Sequence, residues 1–384
     1  MKHITRLVAL AVCSVLVLSA CNGGAKNETA AADEIVIGEY GSLTGSTATF
    51  GISTKNGIDM AVDEINAAGG VLGKKVRVVV EDDQGKPEEA LVVVTKLITK
   101  DKVVAVLGEV ASGNSKAAAP MAQQSQIPMI SPSSTNPNVT QVGDYIFRVC
   151  FIDPFQGFVM AKFAADTLKL TKVAVFRDIK GAYSVGLADV FVEEFKKMGG
   201  TIVADESYSE GDTDFNAQLT SIKSKSPQAV FVPGYYTEVA LIARQAKKQG
   251  LSVPLLGGDG WDSPKLIEIG GASLNGSYFS NHSSPDDPSP AIQKFNAAYK
   301  ARFKAVPDAL AGLGYDSAMV LFDAMKRSGT TEGPKLRDAI AQTRGFAGVT
   351  GTITLNASRD AEKPAVVLEI KDGKYAYRET IAPQ

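Results

Sequence analysis

Histidine and cysteine are scarce here: two and three residues, respectively, in a chain of 384. His3 and Cys13 fall in the first twenty residues and Cys21 immediately after them, so the body of the chain keeps only His282 and Cys150. A metal site built on several histidines is excluded, and a Ser-His-Asp triad would have to rest on His282, which stands in a polar loop. No disulfide can form within the body, and Cys150, inside the apolar run YIFRVCF, reads as a buried small hydrophobe. The patterns G-x-S-x-G and H-E-x-x-H are missing as well. With no base to activate its serines, the chain is not expected to be an enzyme, and no metal or cofactor is expected. A formal net charge of −2 without a basic stripe argues against a nucleic-acid partner. Beyond the first twenty residues no apolar run is long enough to cross a bilayer.

What is present begins with an address. Lys2 and Arg6, an apolar stretch over residues 7–18 and the ending Leu18-Ser19-Ala20-Cys21 form a secretory signal peptide over residues 1–20. The LSAC ending resembles the lipobox of bacterial lipoproteins, which implies that Cys21 becomes the lipid-bearing first residue of the mature chain. Residues 21–33 continue as a polar, Gly/Ala-rich tether without hydrophobic periodicity. Loss of Lys2 and Arg6 moves the formal charge from −2 to −4.

The segment 103–137 organises the rest. Two apolar runs, 103–107 and 127–130, read as buried strands, and the Ala-rich stretch 114–126 between them favours helix. Their loops, GEVASG and SPSSTNP, leave the carboxyl ends of neighbouring parallel strands, where open α/β sheets bind ligands. Ser112 reads as the helix N-cap, and Ser133, Ser134 and Thr135 taken alone read as a turn.

Taken in order, the chain alternates strands and helices twice. EIVIGE, KVRVVVE and the 103–130 unit make the first half; KVAVFRD, TIVADESY, AVFVPG and VPLLGG make the second. The halves agree element for element, a weak internal repeat. Phe50 and Tyr183 then occupy equivalent first loops, Ser112 and Tyr235 third loops, and Thr135 and Asp259 fourth loops. If the halves face each other, these six residues converge on one cleft. Helices over 290–304, 309–327 and 333–343 and short terminal strands complete an α/β protein of two doubly wound parallel-sheet lobes.

The stretches GSLTGSTATFG, INAAGGVLGKKV, EDDQGKPEEA, VLGEVAS, MISPSSTNP, FRDIKGAYSVGL, FVPGYYTE and GGDGWDSP cover nearly the whole mature body. In them the chain resembles the periplasmic substrate-binding proteins of branched-chain amino-acid ABC transporters, the leucine/isoleucine/valine-binding type with the type I periplasmic-binding-protein fold. The resemblance implies two lobes joined by a multi-strand hinge, one of residues 34–153 plus 283–357, the other of residues 154–282 plus 358–384. It implies a monomer, tied to the membrane by its lipid anchor, that captures a neutral aliphatic amino acid and delivers it to an ABC permease. Ser112 and Thr135 would hold the ligand carboxylate, with Ser134 beside them, and the Ser133 carbonyl and Asp259 would take the ammonium. Phe50, Tyr183 and Tyr235 would wall the side-chain pocket, and Leu310, where relatives often carry an aromatic, would leave it roomier and aliphatic.

Three departures accompany the resemblance. Gly85 and Ala111 stand where some relatives place a disulfide, and Ser184 replaces a frequent glycine. A binding protein for another amino acid, for urea, a short amide or an aromatic acid, a ligand sensor, and last a secreted hydrolase are the alternatives; Asp259 disfavours ligands without an α-ammonium.

Overall fold

The computed structural model describes residues 34–383; the signal segment, Cys21 and the tether lie outside the described residues. Strand β1 (Glu34–Gly41) is exposed only at Glu34 and buried or nearly so from Ile35 onward. Such continuous burial is what a parallel strand covered on both faces requires. β1 pairs in parallel with β2 (Lys75–Asp82) on one side and β3 (Val106–Leu107) on the other. β4 (Met129–Ser131) and β5 (Ile146–Arg148) extend the sheet to the order β2-β1-β3-β4-β5.

The second sheet is built from β6 (Lys172–Asp178), β7 (Thr201–Tyr208), β8 (Ala229–Phe231), β9 (Leu255–Gly257) and β10 (Ser277–Asn281). They run in parallel in the order β7-β6-β8-β9-β10, the same second-first-third-fourth-fifth arrangement as the first sheet. The repeat read from the sequence is thus a repeat of topology. In both sheets the strand order reverses between the first and third strands, and the loops beyond the carboxyl ends there form a crevice.

The helices fix which strands and loops stay together. α1 (Ala48–Ala67), α2 (Pro87–Thr99) and α3 (Ser112–Gln124) follow the first three strands. α4 (Asp153–Lys162), α5 (Ala182–Lys197), α6 (Asn216–Ser224), α7 (Tyr236–Lys248) and α8 (Pro264–Gly270) accompany the second sheet. α9 (Pro290–Phe303), α10 (Ala309–Ser328) and α11 (Gly333–Ala341) come next, then a hairpin of β11 (Phe346–Gly348) and β12 (Gly351–Ile353). Strands β13 (Ala365–Lys371) and β14 (Lys374–Ile381) close the β10 edge as an antiparallel pair. α10 returns to the first sheet by lying directly on α1. A β-carbon at Gly57 would stand 1.9 Å from the Ala311 carbonyl oxygen, and one at Gly314 2.4 Å from that of Thr54, so only glycine permits this backbone approach. The chain therefore passes between the two sheets three times: after β5, after β10 and after β12.

Several local expectations change. α1 begins at Ala48 and α5 at Ala182, so Phe50 and Tyr183 lie in first helical turns rather than in the loops before them. Neither start carries a side-chain cap. α1 is held instead by Gly51, whose missing side chain lets the β1 loop lie against it: a β-carbon there would meet the Ser42 carbonyl oxygen at 2.3 Å. Ser112 is not the N-cap of α3; it is the first helical residue, Ala111 occupies the cap position, and the Ser112 hydroxyl accepts instead from the Asn136 N–H at 3.3 Å. Strands β5 and β10 and helix α4 have no counterpart in the sequence reading, because both strands are short and α4 follows an apolar run with no cap residue of its own.

Candidate functional site

Between the carboxyl ends of the two sheets lies a narrow cavity of about 10 Å³, room for about one water, so its walls are drawn nearly together. From the first sheet it is lined by Phe50, Val110, Ser133, Thr135 and, at the first turn of α10, Leu310. Tyr183, Tyr235, Asp259 and Gly260 line it from the second sheet. Ser112 and Ser134 are not on this wall. The Ser134 hydroxyl is 2.8 Å from that of Ser115 and 2.9 Å from the Glu109 carbonyl oxygen, while its N–H donates to Ser131 Oγ at 2.8 Å. Ser134 therefore pins the β4 loop to the β3 loop instead of facing the cavity.

Arg148 sets the shape of that β4 loop from behind. Its side chain is fully buried and forms an ion pair with Asp360 at 2.6 Å. The guanidinium also donates to the carbonyl oxygens of Ser134 and, at 2.9 Å, Asn136, and to the Thr140 hydroxyl at 3.1 Å. One planar fork thus gathers the carbonyls of Ser134, Asn136 and Pro137, while the Thr135 carbonyl accepts from the Asp153 N–H at 2.9 Å. That leaves the other side of the loop, Ser133 and Thr135, for the cavity.

The opposite wall is aromatic. Tyr183 and Tyr235 stack with ring centroids 5.3 Å apart and planes 5° from parallel, and Phe50 reaches Tyr235 edge-on at 5.5 Å. Tyr183 is fixed further by accepting the Gly260 N–H at its hydroxyl, 3.2 Å away. Ser184, where a glycine was expected, accepts the Asp178 N–H at 2.9 Å and so holds the β6 loop in place. Polar contacts join the two sides around the rim: Asn136 Nδ2 donates to the Ala182 carbonyl at 2.8 Å, and the hydroxyls of Thr49 and Ser263 meet at 2.9 Å.

The acidic end contains a residue that the sequence reading placed in an isolated loop. His282 is buried, stacked on Phe151 at 3.8 Å, and its Nε2 lies 3.0 Å from Asp259 Oδ2. Burial holds the imidazole below its usual range, so at neutral pH it is uncharged and pairs with the carboxylate through Nε2–H. The Asp259 N–H donates to Gln156 Oε1 at 2.8 Å, which fixes its backbone. Burial likewise pushes the neighbouring Asp153 carboxyl up to about 8. Among the described residues, buried Asp259 Oδ1 and Ser133 Oγ have no hydrogen-bond partner. Buried polar atoms are nearly always partnered, so two such atoms on one cavity mark positions prepared for polar groups from outside. A neutral His282 could have been suspected only from its place beside β10, since nothing in NHSSP reports burial. His282→Phe, which retains a ring against Phe151 but removes Nε2, is expected to weaken binding of an ammonium ligand by about tenfold, within the roughly 1–3 kcal/mol of an orphaned buried acceptor. Calorimetric titration beside an unfolding curve checks this; an unchanged affinity in a folded variant would show that Asp259 needs no support.

The periplasmic binding protein family is matched over residues 34–374. A Leu/Ile/Val-binding protein homologue of Brucella melitensis is 33% identical over 350 residues, 90% of this chain and 94% of its own length. The structure is similar to that of the leucine binding protein LivK from Thermotoga maritima, with a TM-score of 0.88 and 41% identity over 91% of this chain and 99% of that one. It is also similar to LivJ from Streptococcus pneumoniae, a branched-chain amino acid transporter substrate binding protein solved with isoleucine, with a TM-score of 0.87 and 36% identity over 91% and 100% of the two chains. Sheet order, an interlobe cavity at the strand ends and these likenesses agree, and the chain belongs to the periplasmic binding protein family.

Proposed function

We propose that this protein captures a branched-chain amino acid in the cavity between its sheets and presents it to an ABC permease outside the cytoplasm. The observation that carries the reading is the pairing of one buried carboxylate, with Asp259 Oδ1 unpartnered, and a small apolar-walled cavity. A zwitterion matches it. Its ammonium meets the single charge of Asp259 and the loop at Ser133, and its carboxylate meets neutral donors at Thr135 and the α3 amino end, so no buried ion is left unpaired. Ser112 and Ser134 support this end from behind. Tyr183, Tyr235, Phe50 and Leu310 then receive an aliphatic side chain.

The two jaws are residues 34–153 with 283–357, and residues 154–282 with 358–384. Contacts such as Asn136 to Ala182 and Thr49 to Ser263 exist only when the jaws meet, so a ligand touching both sides shifts the population toward closure. Cys21, carrying lipid, keeps a monomeric protein at the membrane beside its permease, and no chemical conversion of the ligand is involved.

On the mature protein, leucine, isoleucine or valine is expected to raise the melting temperature while urea and benzoate do not, because a ligand of the native state alone stabilises it. Trp261, fully buried two residues beyond Asp259 with Nε1 bonded to the Val232 carbonyl at 3.0 Å, is expected to change its fluorescence in the same titration. A shift with urea or benzoate and none with any α-amino acid would overturn the reading.

A further inference from the structure

A second and larger cavity, about 490 Å³, opens beside the first with a lining of its own, between α8 and α9. That volume lies within the roughly 300–1,000 Å³ typical of small-molecule pockets. Its walls are mostly hydrocarbon: Ile267 of α8 on one side, Ile292 and Phe295 of α9 on the other, and Val306 on the rim with 67% of its surface exposed. At its base lie Asp262 and Asp308, contributed by the 3₁₀ turn after β9 and by the residue before α10.

These two carboxylates are held by neutral donors. Asp262 Oδ2 accepts from Asn281 Nδ2 and the Ala309 N–H, both at 2.8 Å; Asp308 accepts from Ser53 Oγ at 2.6 Å and the Ala311 N–H at 3.0 Å. Burial, with the charge of Asp259 adding to it, pushes Asp262 up to about 6, and burial with the charge of Asp262 pushes Asp308 up to about 7. Asp286 and Lys374 are the other charged residues on the lining, so the cavity presents three carboxylates against one ammonium. Both acids hold the amino end of α10, Asp308 through the Ala311 N–H and Asp262 through the Ala309 N–H; one capping residue suffices for a helix end, and two acids there under an open hydrocarbon cleft exceed that need.

The geometry points to a second ligand site, separate from the amino-acid cavity, for a small hydrophobic primary amine: its ammonium between Asp262 and Asp308, its alkyl or aryl tail along Ile267, Ile292, Phe295 and Val306. A free amino acid does not suit this site, because its carboxylate would face the same acids. The amine touches elements of both jaws, α8 on one and α9 on the other, so its binding is linked to their separation and thereby to the first site.

Calorimetry with n-hexylamine, 1-hexanol and hexanoate at pH 8.5 tests this on the mature protein, with the first site saturated by its amino acid. Hexylamine is expected to bind, and the alcohol and the acid to bind at least roughly tenfold more weakly, a difference of about 1.4 kcal/mol or more. Asp308→Asn keeps an N-cap residue and is expected to lower hexylamine affinity by roughly tenfold. Val306→Lys, at an exposed position, is expected to do the same by bringing its own ammonium to the rim. Repeating the titration without amino acid in an Asp259→Ala background keeps the result independent of the proposed function. Absence of hexylamine binding, equal binding of hexanol, or unchanged affinity in both variants would each overturn the site.

Discussion

Replacing Asp259 with alanine is expected to weaken binding of the branched-chain ligand by roughly 2–5 kcal/mol, the range for removing one partner of a buried charge pair. Asp259 is 5% exposed, its Oδ2 is engaged by His282, and its Oδ1 is left toward the cavity. Once it is gone, the ligand ammonium enters a low-dielectric space with only carbonyl and hydroxyl dipoles to meet it. Neither neighbour takes over: Asp153, pushed up to about 8 by burial, is largely protonated near pH 7, and His282 offers no negative charge. Titration calorimetry on the variant checks the loss, with a denaturation curve to establish that it still folds. A loss below about 0.5 kcal/mol would reduce Asp259 to a turn residue and move the ammonium elsewhere.

Arg148→Met is expected to destabilise the protein by roughly 3–5 kcal/mol, because removing one member of a buried ion pair leaves the other charge uncompensated. Here the stranded group is Asp360, 5% exposed, whose remaining donor is the Thr140 hydroxyl at 2.9 Å. The same substitution frees the carbonyls of Ser134 and Asn136 that the guanidinium gathers. Urea denaturation measures the loss. Asp360→Asn in the Arg148→Met background should recover part of it by removing the orphan charge, while the loop carbonyls stay unpaired. A change under about 1 kcal/mol in the single variant would mean that residues 134–137 hold their shape without Arg148.

Arg148 also marks where sequence reading stops. It sits in YIFRVCF, an apolar run that announces burial but no partner for the one charge in it, and only the fold brings residue 360 to it. The same holds for His282 and Asp259, 23 positions apart and joined by the neighbouring strands β9 and β10. By contrast, the strands of both sheets other than β5 and β10 are legible because parallel buried strands are written as continuous apolar runs that end in Gly/Ser/Thr loops, as in AVLGE and MISPSS. The loop residues that line the cavity could be named because the topology repeats. The directions of the Ser112 and Ser134 hydroxyls are not legible for a local reason: a serine's hydroxyl direction is set by which backbone N–H or C=O competes for it, and in both cases a neighbouring loop engages it. Phe50 and Tyr183 fell on helices because those first turns are held by tertiary contact, which no cap residue announces.

The three passages of the chain between the sheets have a mechanical consequence. A single connecting strand would let two bodies swivel and slide as well as bend. Three roughly adjacent ones act as a flexure: twist and shear must stretch or compress a backbone that does not stretch, and bending is the soft direction left. The third passage is clamped where it leaves the first sheet, since Arg359 donates to the Thr140 carbonyl at 2.7 Å and to that of Ile146 at 3.1 Å. Such a flexure returns the same residues to each other on every stroke. Asn136 meets Ala182 and Thr49 meets Ser263 without a search, so alignment of the two faces is set by covalent geometry, leaving the ligand to decide only whether they stay together.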